Sequence, residues 1–403
     1  MTGALDNIKV LDLSRILAGP WASQLLADLG AQVIKIENPN QGDDTRQWGP
    51  PFINTGNNAN TDDAAYFHCT NRNKQSVAVD ISTDLGQQII KDLIVHADVL
   101  IENHKVGGLA KYGLSYEQVK KINEKLIYCS ITGFGQTGPC ANFAGYDAMI
   151  QGEGGLMSLT GEPDGMPMKV GVALVDVMTG LYSCNAILAA LFARSHSHQG
   201  QYIDIALLDV QMATLANQAM NYLTTGENPQ RLGNGHPNIV PYQTFATSDG
   251  ALIIAIGNDQ QFKRFADLGD CLELLDQKYQ TNHQRVQHRN ELIPVIAQVI
   301  LSKSTLWWLK HLQSISVPCG SVNTVEEVVN HPQTIHRGMI KTLPGQYGKR
   351  INTVANPINL SKNPVQYHSA SPSLGQHTEK VLTSILGYSE AKLANLFENK
   401  VIA

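Results

Sequence analysis

Apolar stretches of strand length alternate with stretches of helical periodicity along the first half of the chain. Residues 8–13 (IKVLDL) and 31–37 (AQVIKIE) are apolar runs typical of buried strands, and residues 20–30 between them carry apolar side chains at helical spacing. The same order recurs in residues 76–81, 85–97, 98–103, 115–123 and 126–135. Since a strand–helix–strand unit pairs its strands in parallel, we predict an α/β fold with a Rossmann-like, doubly wound parallel sheet.

The pattern changes after a long apolar helix predicted over residues 177–194. Residues 225–245 are rich in Gly, Pro and Asn, which is typical of a linker, and further strand and helix patterns follow. We therefore expect two domains. The predicted division is a large domain starting with residues 1–210, a linker over 211–235, a smaller α+β domain over 236–325, and a linker and C-terminal return to the large domain over 326–403.

Composition narrows the classes of protein. The 403 residues are 43% apolar and 16% charged, which suits a large buried core, and the net charge of -5 is too small to indicate nucleic-acid binding. No run of 18 consecutive apolar residues is present, and the N-terminal residues lack the basic and apolar regions of a secretory signal. We expect a cytoplasmic protein that neither spans a membrane nor binds nucleic acid.

Cysteine and histidine spacing gives no sign of a metal site. The six cysteines lie far apart and form no CxxC pair, so neither a zinc site nor a disulfide framework is predicted. His196 and His198 stand in ARSHSHQGQ without a carboxylate or cysteine nearby in sequence. Because a structural metal site needs three or four ligands, we expect a solvated turn there and no metal.

The first strand–loop–helix unit invites comparison with a nicotinamide dehydrogenase, and Glu37 even supplies an acid at the end of the second strand. The loop, however, reads SRILAGP and lacks the G-x-G-x-x-G pattern. Without those glycines the backbone cannot approach a pyrophosphate in the usual way. The sequence therefore argues against a dehydrogenase, while a nucleotide-containing ligand at the strand ends stays compatible with the fold.

Asp176 is the only charged residue in VGVALVDVMTG (residues 170–180), directly before a long apolar helix. A carboxylate there has two possible roles. It is a favoured N-cap that satisfies the first backbone donors of the helix. It could also be a nucleophile, kept ionised by the positive field of the helix terminus and poorly solvated in an apolar pocket. Spacing alone leaves both roles open.

Two loops carry weaker signals. GDDTRQWGPPF (residues 42–52) is either a surface loop with local salt bridges or a loop that carries an acid-binding Arg46 and a shielding Trp48. ITGFGQTGP (residues 131–139) is either a plain turn or a set of backbone N–H groups exposed near a reacting oxygen.

Taken together, these blocks resemble the family III CoA-transferases (the CaiB/BaiF family) over essentially the whole chain. The resemblance is carried, in order, by LDLSRILAGPWASQLLADLGAQVIKIE, GDDTR, NRNKQSVAVDI, DVLIEN, YCSITGFGQTGP, GYD, VALVDVMTG, HQGQYIDIALLD and SLGQHT. Within the family the chain is most similar to the succinyl-CoA:glutarate and hydroxymethylglutarate CoA-transferases, on RQWGPPF, CSITGFGQTGP, IVPYQTF, GNDQQF and YQTNHQRVQHR.

The resemblance implies a reaction and a set of residues. Asp176 matches the catalytic aspartate of the family, which forms anhydride and aspartyl-CoA thioester intermediates. The implied CoA contacts are Leu17, Ala18, Asn38, Asp80, Ile81, Ser82, Asn103, His104, Lys105, Lys111, Tyr146 and Asp147. The acyl group and developing oxyanion are expected at Arg46, Trp48, Gly133, Gly135, His236, Gly257 and Asn258.

Two positions depart from the pattern of the family. Asn38 stands where some members have Arg, and His104 where others have an aromatic residue, so the adenine and phosphate contacts are rebuilt here. Lys111 is then the best candidate for a CoA phosphate, because a point cation serves that purpose. The family also implies an interlocked homodimer, with CoA and acyl-CoA as substrates and no permanently bound cofactor.

Two alternatives follow from the same resemblance. The α-methylacyl-CoA racemases share these blocks but use a histidine in a G-H-D stretch. Here that stretch is Gly145-Tyr146-Asp147, and a tyrosine does not readily exchange protons near neutral pH. A non-catalytic CoA-binding protein is the second alternative, against which Asp176 and the glycine loops argue.

Overall fold

Six parallel strands form the central sheet of the computed structural model, which describes residues 3–53, 63–345 and 350–403. The strands are β1 (Lys9–Asp12), β2 (Gln32–Glu37), β3 (Lys74–Ala78), β4 (Val99–Glu102), β5 (Ile127–Thr132) and β6 (Tyr202–Ala206). Their spatial order is β3-β2-β1-β4-β5-β6. This is the order of a doubly wound nucleotide-binding sheet, in which ligands bind beyond the carboxyl ends of the strands. The predicted fold class is confirmed.

Some of the helices cover the two faces of this sheet, and others lie elsewhere in the chain. The helices in chain order are α1 (Ala18–Asp28), α2 (Ala65–His68), α3 (Asp84–His96), α4 (Tyr116–Val119), α5 (Asp147–Glu153), α6 (Leu156–Leu159), α7 (Leu174–Ser197), α8 (Leu207–Thr214), α9 (Ala216–Thr225), α10 (Asp259–Gly269), α11 (Asn282–Gln287), α12 (Arg289–Leu301), α13 (Thr305–Ser314), α14 (Val325–Val329), α15 (Pro332–His336), α16 (Thr378–Leu386) and α17 (Glu390–Glu398). One apolar core packs α3, α16 and α17 on the sheet, and another packs α1, α5 and α7 on the opposite face.

The chain divides into two compact units. The first comprises Met1–Gly155, Val170–Ala219 and Pro332–Ala403, and the second comprises Leu156–Lys169 and Met220–His331. Helix α9 lies inside the stretch predicted as a linker, because ANQAMNYLTT supports a helix. Irregular chain begins at Gly226, where the sequence turns to Gly, Pro and Asn.

The C-terminal segment completes the first unit. The backbone N–H of Asp80, just beyond β3, donates to the carbonyl of Val401 at 2.8 Å, and Val79 forms an antiparallel bridge with Ile402. The antiparallel pair β10 (Ile340–Pro344) and β11 (Arg350–Val354) also belongs to this unit. The end of the chain thus covers the edge of the sheet beside the predicted ligand side.

The second unit has a core of its own. Its antiparallel sheet contains β7 (Tyr242–Ala246), β8 (Ala251–Ala255) and β9 (Cys319–Ser321). Phe265, Ile296 and Trp308, from α10, α12 and α13, are almost completely buried against it. Such a core, formed by strands and helices of one region, lets this unit hold its shape by its own packing.

Helix α7 is a core helix of the first unit. It is long and apolar enough to cross a membrane by length and composition. Val175, Gly180, Ile187 and other residues along one side of it are nevertheless buried, and α7 contacts α1 more extensively than any other helix. Its apolar character therefore reflects burial against α1 and the sheet.

Gly180 allows α1 and α7 to approach each other closely. A Cβ atom at this position would lie 2.8 Å from the carbonyl oxygen of Ala18 and 2.9 Å from the Cβ of Trp21. The first of these neighbours is backbone, which cannot rotate away. Any side chain at Gly180 would therefore separate α1 from α7, and the start of α7 carries Asp176.

A network of buried charges extends from the carboxyl ends of β1 and β2 to Lys74, the first residue of β3. Lys74 Nζ lies 3.2 Å from Asp12 Oδ2, Lys35 Nζ lies 2.8 Å from Asp43 Oδ2, and Arg46 Nη2 lies 2.7 Å from Glu37 Oε1. All six side chains are buried. Burial by itself would raise the pKa of Asp43, but the adjacent Lys35 ammonium holds it at about 2. Each charge is therefore paired inside the protein.

We expect Gly180→Ala to destabilise the first unit. Overpacking a helix contact costs about 1–3 kcal/mol, which outweighs the gain of about 0.5–1 kcal/mol that alanine brings to a helix. Chemical denaturation should show a lower free energy of unfolding. Gly171→Ala is the control, since nothing lies within 4 Å of a Cβ there. Equal stability of the two variants would contradict the close contact.

We also expect Arg46→Met to lower the free energy of unfolding by about 3–5 kcal/mol, because it leaves a buried carboxylate unpaired. Arg15→Met is the matched control. Arg15 pairs with Asp44 at 2.8 Å, but both side chains are substantially exposed, so its loss should cost less than about 1 kcal/mol. Similar losses in the two variants would contradict a structural role specific to Arg46.

Candidate active site

Arg46 does not have the free guanidinium that the sequence prediction required. Its Nε and Nη2 donate to the two oxygens of Glu37 at 2.8 and 2.7 Å, and its Nη1 donates to Asp63 at 2.6 Å. The guanidinium also lies 3.7 Å from the ring centroid of Phe67, and the side chain is 5% exposed. The prediction of Arg46 as a substrate-binding residue is therefore wrong, because its donors already hold protein carboxylates.

The loop anchored by Arg46 presents an aromatic pair instead. Asp43 caps a 3-10 turn, Asp44–Gln47, by accepting from the backbone N–H of Thr45. Trp48 follows, with 44% of its surface exposed, and its ring meets Tyr66 of α2 edge to face at 5.4 Å between centroids. Trp48 is thus placed at the surface of the site, as a shielding role requires.

The start of α7 differs from the N-cap role considered for Asp176. The N-cap position is Ala173, which has no side-chain capping bond, and Asp176 lies in the first turn. The carboxylate that caps this helix comes from Asp147. Its Oδ1 accepts from the backbone N–H of Val175 at 2.8 Å and, more weakly, from that of Asp176 at 3.4 Å. The N-cap alternative for Asp176 is therefore wrong.

Asp176 is also not held ionised as the helix field alone would suggest. Burial, together with the nearby charge of Asp147, raises the pKa of the Asp176 carboxyl to about 7. Burial and the same two carboxylates raise the pKa of Tyr66 to about 12. Asp176, Asp147, Tyr66 and, through Tyr66, Trp48 form one cluster. Tyr66 was missed by the sequence analysis, because AAYFH carries no signal that its phenol interacts electrostatically with Asp176 and Asp147.

Three predicted CoA contacts line one cleft at the carboxyl ends of the strands. Asn38, Ile81 and His104 surround it, together with Arg15 and Gln41. Burial and the neighbouring Arg15 lower the pKa of His104 to about 4, so this imidazole is neutral at physiological pH. Arg15 was not among the predicted contacts, although a cation in the loop after the first strand was a visible signal.

Other predicted CoA contacts shape the loops around this cleft. Asn103 holds the backbone of Arg15 through two bonds, from the Arg15 N–H at 2.8 Å and to its carbonyl at 2.7 Å. Asp80 accepts from the backbone N–H of Ser82 at 2.9 Å and so forms the turn after β3. Leu17 and Ala18 are almost completely buried where α1 begins. Their side chains pack in the protein interior, and their role as CoA contacts stays a prediction.

The two predicted lysines lie away from that cleft lining. Lys105 lines a different cleft, together with the buried Glu102 and with Gln136. Lys111 lies on an exposed 3-10 turn, with its ammonium 4.6 Å from the ring centroid of Tyr112. Each remains a candidate for a CoA phosphate, but the structure does not bring them together with Asn38, Ile81 and His104 around one cavity.

The glycine loop packs closely against the segment before α5. A Cβ on Gly133 would lie 2.6 Å from the Cα of Gly145, so both positions exclude side chains. This approach brings Tyr146, which is 57% exposed, beside the loop. The N–H of Gly135 donates to Thr132 Oγ1 at 2.9 Å. The prediction that Gly135 offers a free oxyanion donor is therefore wrong, while that for Gly133 stays a prediction.

Three predicted residues belong to the second unit. His236 Nδ1 accepts from the backbone N–H of Asn238 at 3.0 Å, and its ring packs on Tyr242. The N–H of Gly257 donates to Gln261 at 2.9 Å, and Asn258 caps α10 by accepting from the Gln261 N–H. These bonds explain the loop locally. The N–H of Gly257 is occupied as that of Gly135 is, so the prediction that Gly257 offers a free oxyanion donor is also wrong. The substrate-binding roles of His236 and Asn258 stay predictions.

The two histidines considered as metal ligands lie at the exposed end of α7. His196 is in its last turn, with its ring against Phe192, and His198 is the left-handed C-cap. Within residues 3–53, 63–345 and 350–403, no cluster of three or more His, Cys, Asp or Glu could hold a metal ion.

Comparison with known proteins gives a consistent result. Residues 5–378 match the family CoA-transferase family III. The chain is 51% identical to a succinate–glutarate CoA-transferase of Agrobacterium fabrum, over 94% of this chain and 95% of that protein. It is 42% identical to the succinyl-CoA:glutarate CoA-transferase of Mus musculus, over 99% and 90% of the two chains.

A solved structure supports the same assignment. The crystal structure of a CaiB/BaiF family protein from Brucella suis superimposes with a TM-score of 0.84 at 48% identity, covering 96% of this chain and 100% of that one. Sequence and fold agree over nearly the full length, and the aspartate that the resemblance singles out lies in a partly buried acidic and aromatic cluster. The chain belongs to the family III CoA-transferases and is a CoA-transferase.

Proposed function

We propose that this enzyme transfers CoA from succinyl-CoA to a dicarboxylate, glutarate, with Asp176 as the nucleophile. The names of its relatives support the substrate pair, since those from Agrobacterium fabrum, Mus musculus and Homo sapiens are 51%, 42% and 41% identical over nearly the whole chain. The observation that carries the nucleophile is the site of Asp176: a partly buried carboxylate with no cationic partner among the described residues.

The state of Asp176 fits nucleophilic attack. A carboxylate paired with arginine, as Glu37 is, has its charge stabilised and attacks poorly. Asp176 lacks such a partner in the described residues, and burial and Asp147 raise its pKa to about 7. An ionised carboxylate in this environment is more basic and less solvated than an ordinary aspartate, which makes it a better nucleophile. Glu37 is therefore a structural carboxylate, and we infer that the unpaired Asp176 is the reactive one.

The proposed reaction conserves the energy of the thioester. An oxygen of Asp176 attacks the succinyl carbonyl carbon, the C–S bond breaks, and CoA thiolate leaves a mixed anhydride. The thiolate attacks the aspartyl carbonyl, which releases succinate and forms an aspartyl-CoA thioester. A carboxylate of glutarate then attacks the aspartyl thioester, the C–S bond breaks, and CoA thiolate leaves a second mixed anhydride. The thiolate attacks the glutaryl carbonyl of this anhydride, which forms glutaryl-CoA and regenerates the Asp176 carboxylate. Each step exchanges one acyl bond for another, so water must be excluded.

The clefts suggest how CoA is held. We assign the nucleotide to the cleft of Asn38, Ile81 and His104, at the strand ends where this class of sheet binds nucleotides. Lys111 offers a point charge to a phosphate, and Trp48 a cover for the acyl group. With Arg46 engaged by Glu37 and Asp63, the distal carboxylate of the dicarboxylate needs another donor, and Tyr146 is a candidate.

The finer assignments rest on the family. We propose a homodimer with no permanently bound cofactor, acting in the cytoplasm. Several large apolar side chains on α7 and α9 are exposed in the single chain, including Phe192 at 72% and Leu223 at 65%. Exposed large apolar side chains on a helix are typical of a surface that another subunit covers.

We expect the native enzyme to convert succinyl-CoA and glutarate to glutaryl-CoA and succinate, and Asp176→Asn to lose the activity by at least about a thousandfold, as expected for a nucleophile. Mass spectrometry of the acyl-CoA products, with glutarate, hydroxymethylglutarate, oxalate and itaconate as acceptors, measures this. Succinyl-CoA alone should leave CoA on the peptide that contains Asp176. Deuterium incorporation into a 2-methylacyl-CoA without transfer would instead indicate a racemase.

We also expect kcat/KM for succinyl-CoA to rise with pH and level off above about pH 7. The nucleophile must be ionised, and burial with the charge of Asp147 raises the pKa of Asp176 to about 7, so acid protonates it and removes activity. Initial rates between about pH 5 and about pH 9 measure the acid limb of the profile, which is the fall of kcat/KM at low pH. An acid limb near the ordinary aspartate value of about 4 would contradict the proposed environment.

A further inference from the structure

The first turn of α7 has backbone donors that no carbonyl of the helix can accept. An acidic side chain within that turn commonly takes one of them or gains from the positive helix terminus. Here a carboxylate from another helix does so: Asp147 Oδ1 accepts from the N–H of Val175 at 2.8 Å and lies 3.4 Å from that of Asp176. The positive terminus of α7 is therefore directed at Asp147.

Asp147 is itself held in place by a buried amide. Its Oδ2 accepts from Gln151 Nε2 at 2.6 Å, one turn along α5, and Gln151 Oε1 accepts from the backbone N–H of Val170 at 2.8 Å. Gln151 is fully buried. This chain of bonds joins α5, the segment before α7 and the first turn of α7, so the position of Asp147 relative to Asp176 is fixed by the fold.

The consequence for Asp176 is that its carboxylate oxygens accept no hydrogen bond from any residue of 3–53, 63–345 and 350–403. Asp147 is the only charge in those ranges that shifts the titration of Asp176. Burial and the charges of Asp176, Cys69 and Asp147 together raise the pKa of Tyr66, on α2, to about 12. No charged group on α1 or α8, two helices that pack on α7, shifts the pKa of Asp176.

We propose that Asp147 is a positioning residue of the transfer reaction: it occupies the backbone donors of α7 and thereby keeps the Asp176 carboxylate without a donor of its own. This inference rests on the proposed nucleophilic role of Asp176. The advantage of this arrangement lies in the difference between the free and the acylated forms of Asp176. Acylation converts Asp176 to a neutral anhydride or thioester, which ends the repulsion between the two carboxylates. Asp147 thus destabilises the free nucleophile relative to its acylated states, and this difference is what accelerates the step.

Asp147→Asn separates charge from capping. The amide oxygen still accepts from the N–H of Val175, while the charge facing Asp176 is lost. We expect the acid limb of kcat/KM to move down by on the order of one pH unit, because a like charge no longer opposes ionisation. Above the limb kcat should fall several-fold, because a less basic carboxylate attacks more slowly. Asp147→Ala should move the limb equally and also lower the melting temperature.

Two controls make the test specific. Glu153→Gln removes an exposed carboxylate from the end of α5, the helix that carries Asp147. Asp209→Asn removes an exposed carboxylate from the first turn of α8. Both controls should keep the native acid limb. A shift in either control as large as that of Asp147→Asn would overturn the proposal.

The remaining outcomes also decide the matter. If native enzyme transfers CoA and Asp176→Asn does not, while Asp147→Asn keeps the native limb and only melts lower, Asp147 is merely structural and this inference fails alone. If native enzyme transfers no CoA to any acid of the panel, the proposed function itself fails. A downward shift in Asp147→Asn and Asp147→Ala, with unmoved controls, supports the positioning role.

Discussion

The buried bidentate contact between Arg46 and Glu37 is the interaction on which the architecture of the site depends. Glu37 ends β2, and the same carboxylate accepts from Ser76 on β3 and from the N–H of Asp43. The guanidinium reaches the carbonyl of Pro372 in the C-terminal segment at 3.2 Å. One ion pair therefore joins two strands, the aromatic loop and the returning chain. Because buried charges are costly unless fully paired, these elements are held in one arrangement.

The paired carboxylates of that arrangement differ from the unpaired carboxylate of Asp176. Near the strand ends, Asp12, Asp43 and Glu37 each face a cation, and their charges are satisfied. At α7, Asp176 faces another acid, Asp147, and the phenol of Tyr66. Unpaired carboxylates are unfavourable, and the close contact of α1 with α7 at Gly180 supplies the rigidity that keeps this one in place. The paired charges at the strand ends thus stabilise the fold, while the carboxylate of Asp176 stays unpaired among the described residues.

Sequence reasoning succeeded where the signal was local or periodic, and failed where a partner lies far along the chain. The sheet followed from alternating patterns, and a lone acid in an apolar run drew attention to Asp176. Its proposed N-cap role failed because the true capping carboxylate is 29 residues away, on α5. Arg46 was assigned to substrate because neither Glu37, nine residues earlier, nor Asp63, 17 residues later, is recognisable as its partner in sequence. Gly135 failed for a subtler reason, since its N–H is taken by a hydroxyl three residues before.

The sequence by itself determined the fold class and the family and drew attention to Asp176, because apolar periodicity and short motifs are properties of neighbouring residues. Only the tertiary structure decided which charges are paired and which are not. Read along the chain, Arg46 closely follows two acids that do not bind its guanidinium, and Asp176 is a lone charge in an apolar run. Folding gives the first a complete set of carboxylate partners and places the second against another carboxylate. The chemical state of an ionisable group depends on distances in space and on exclusion of water, and neither is encoded at its own position.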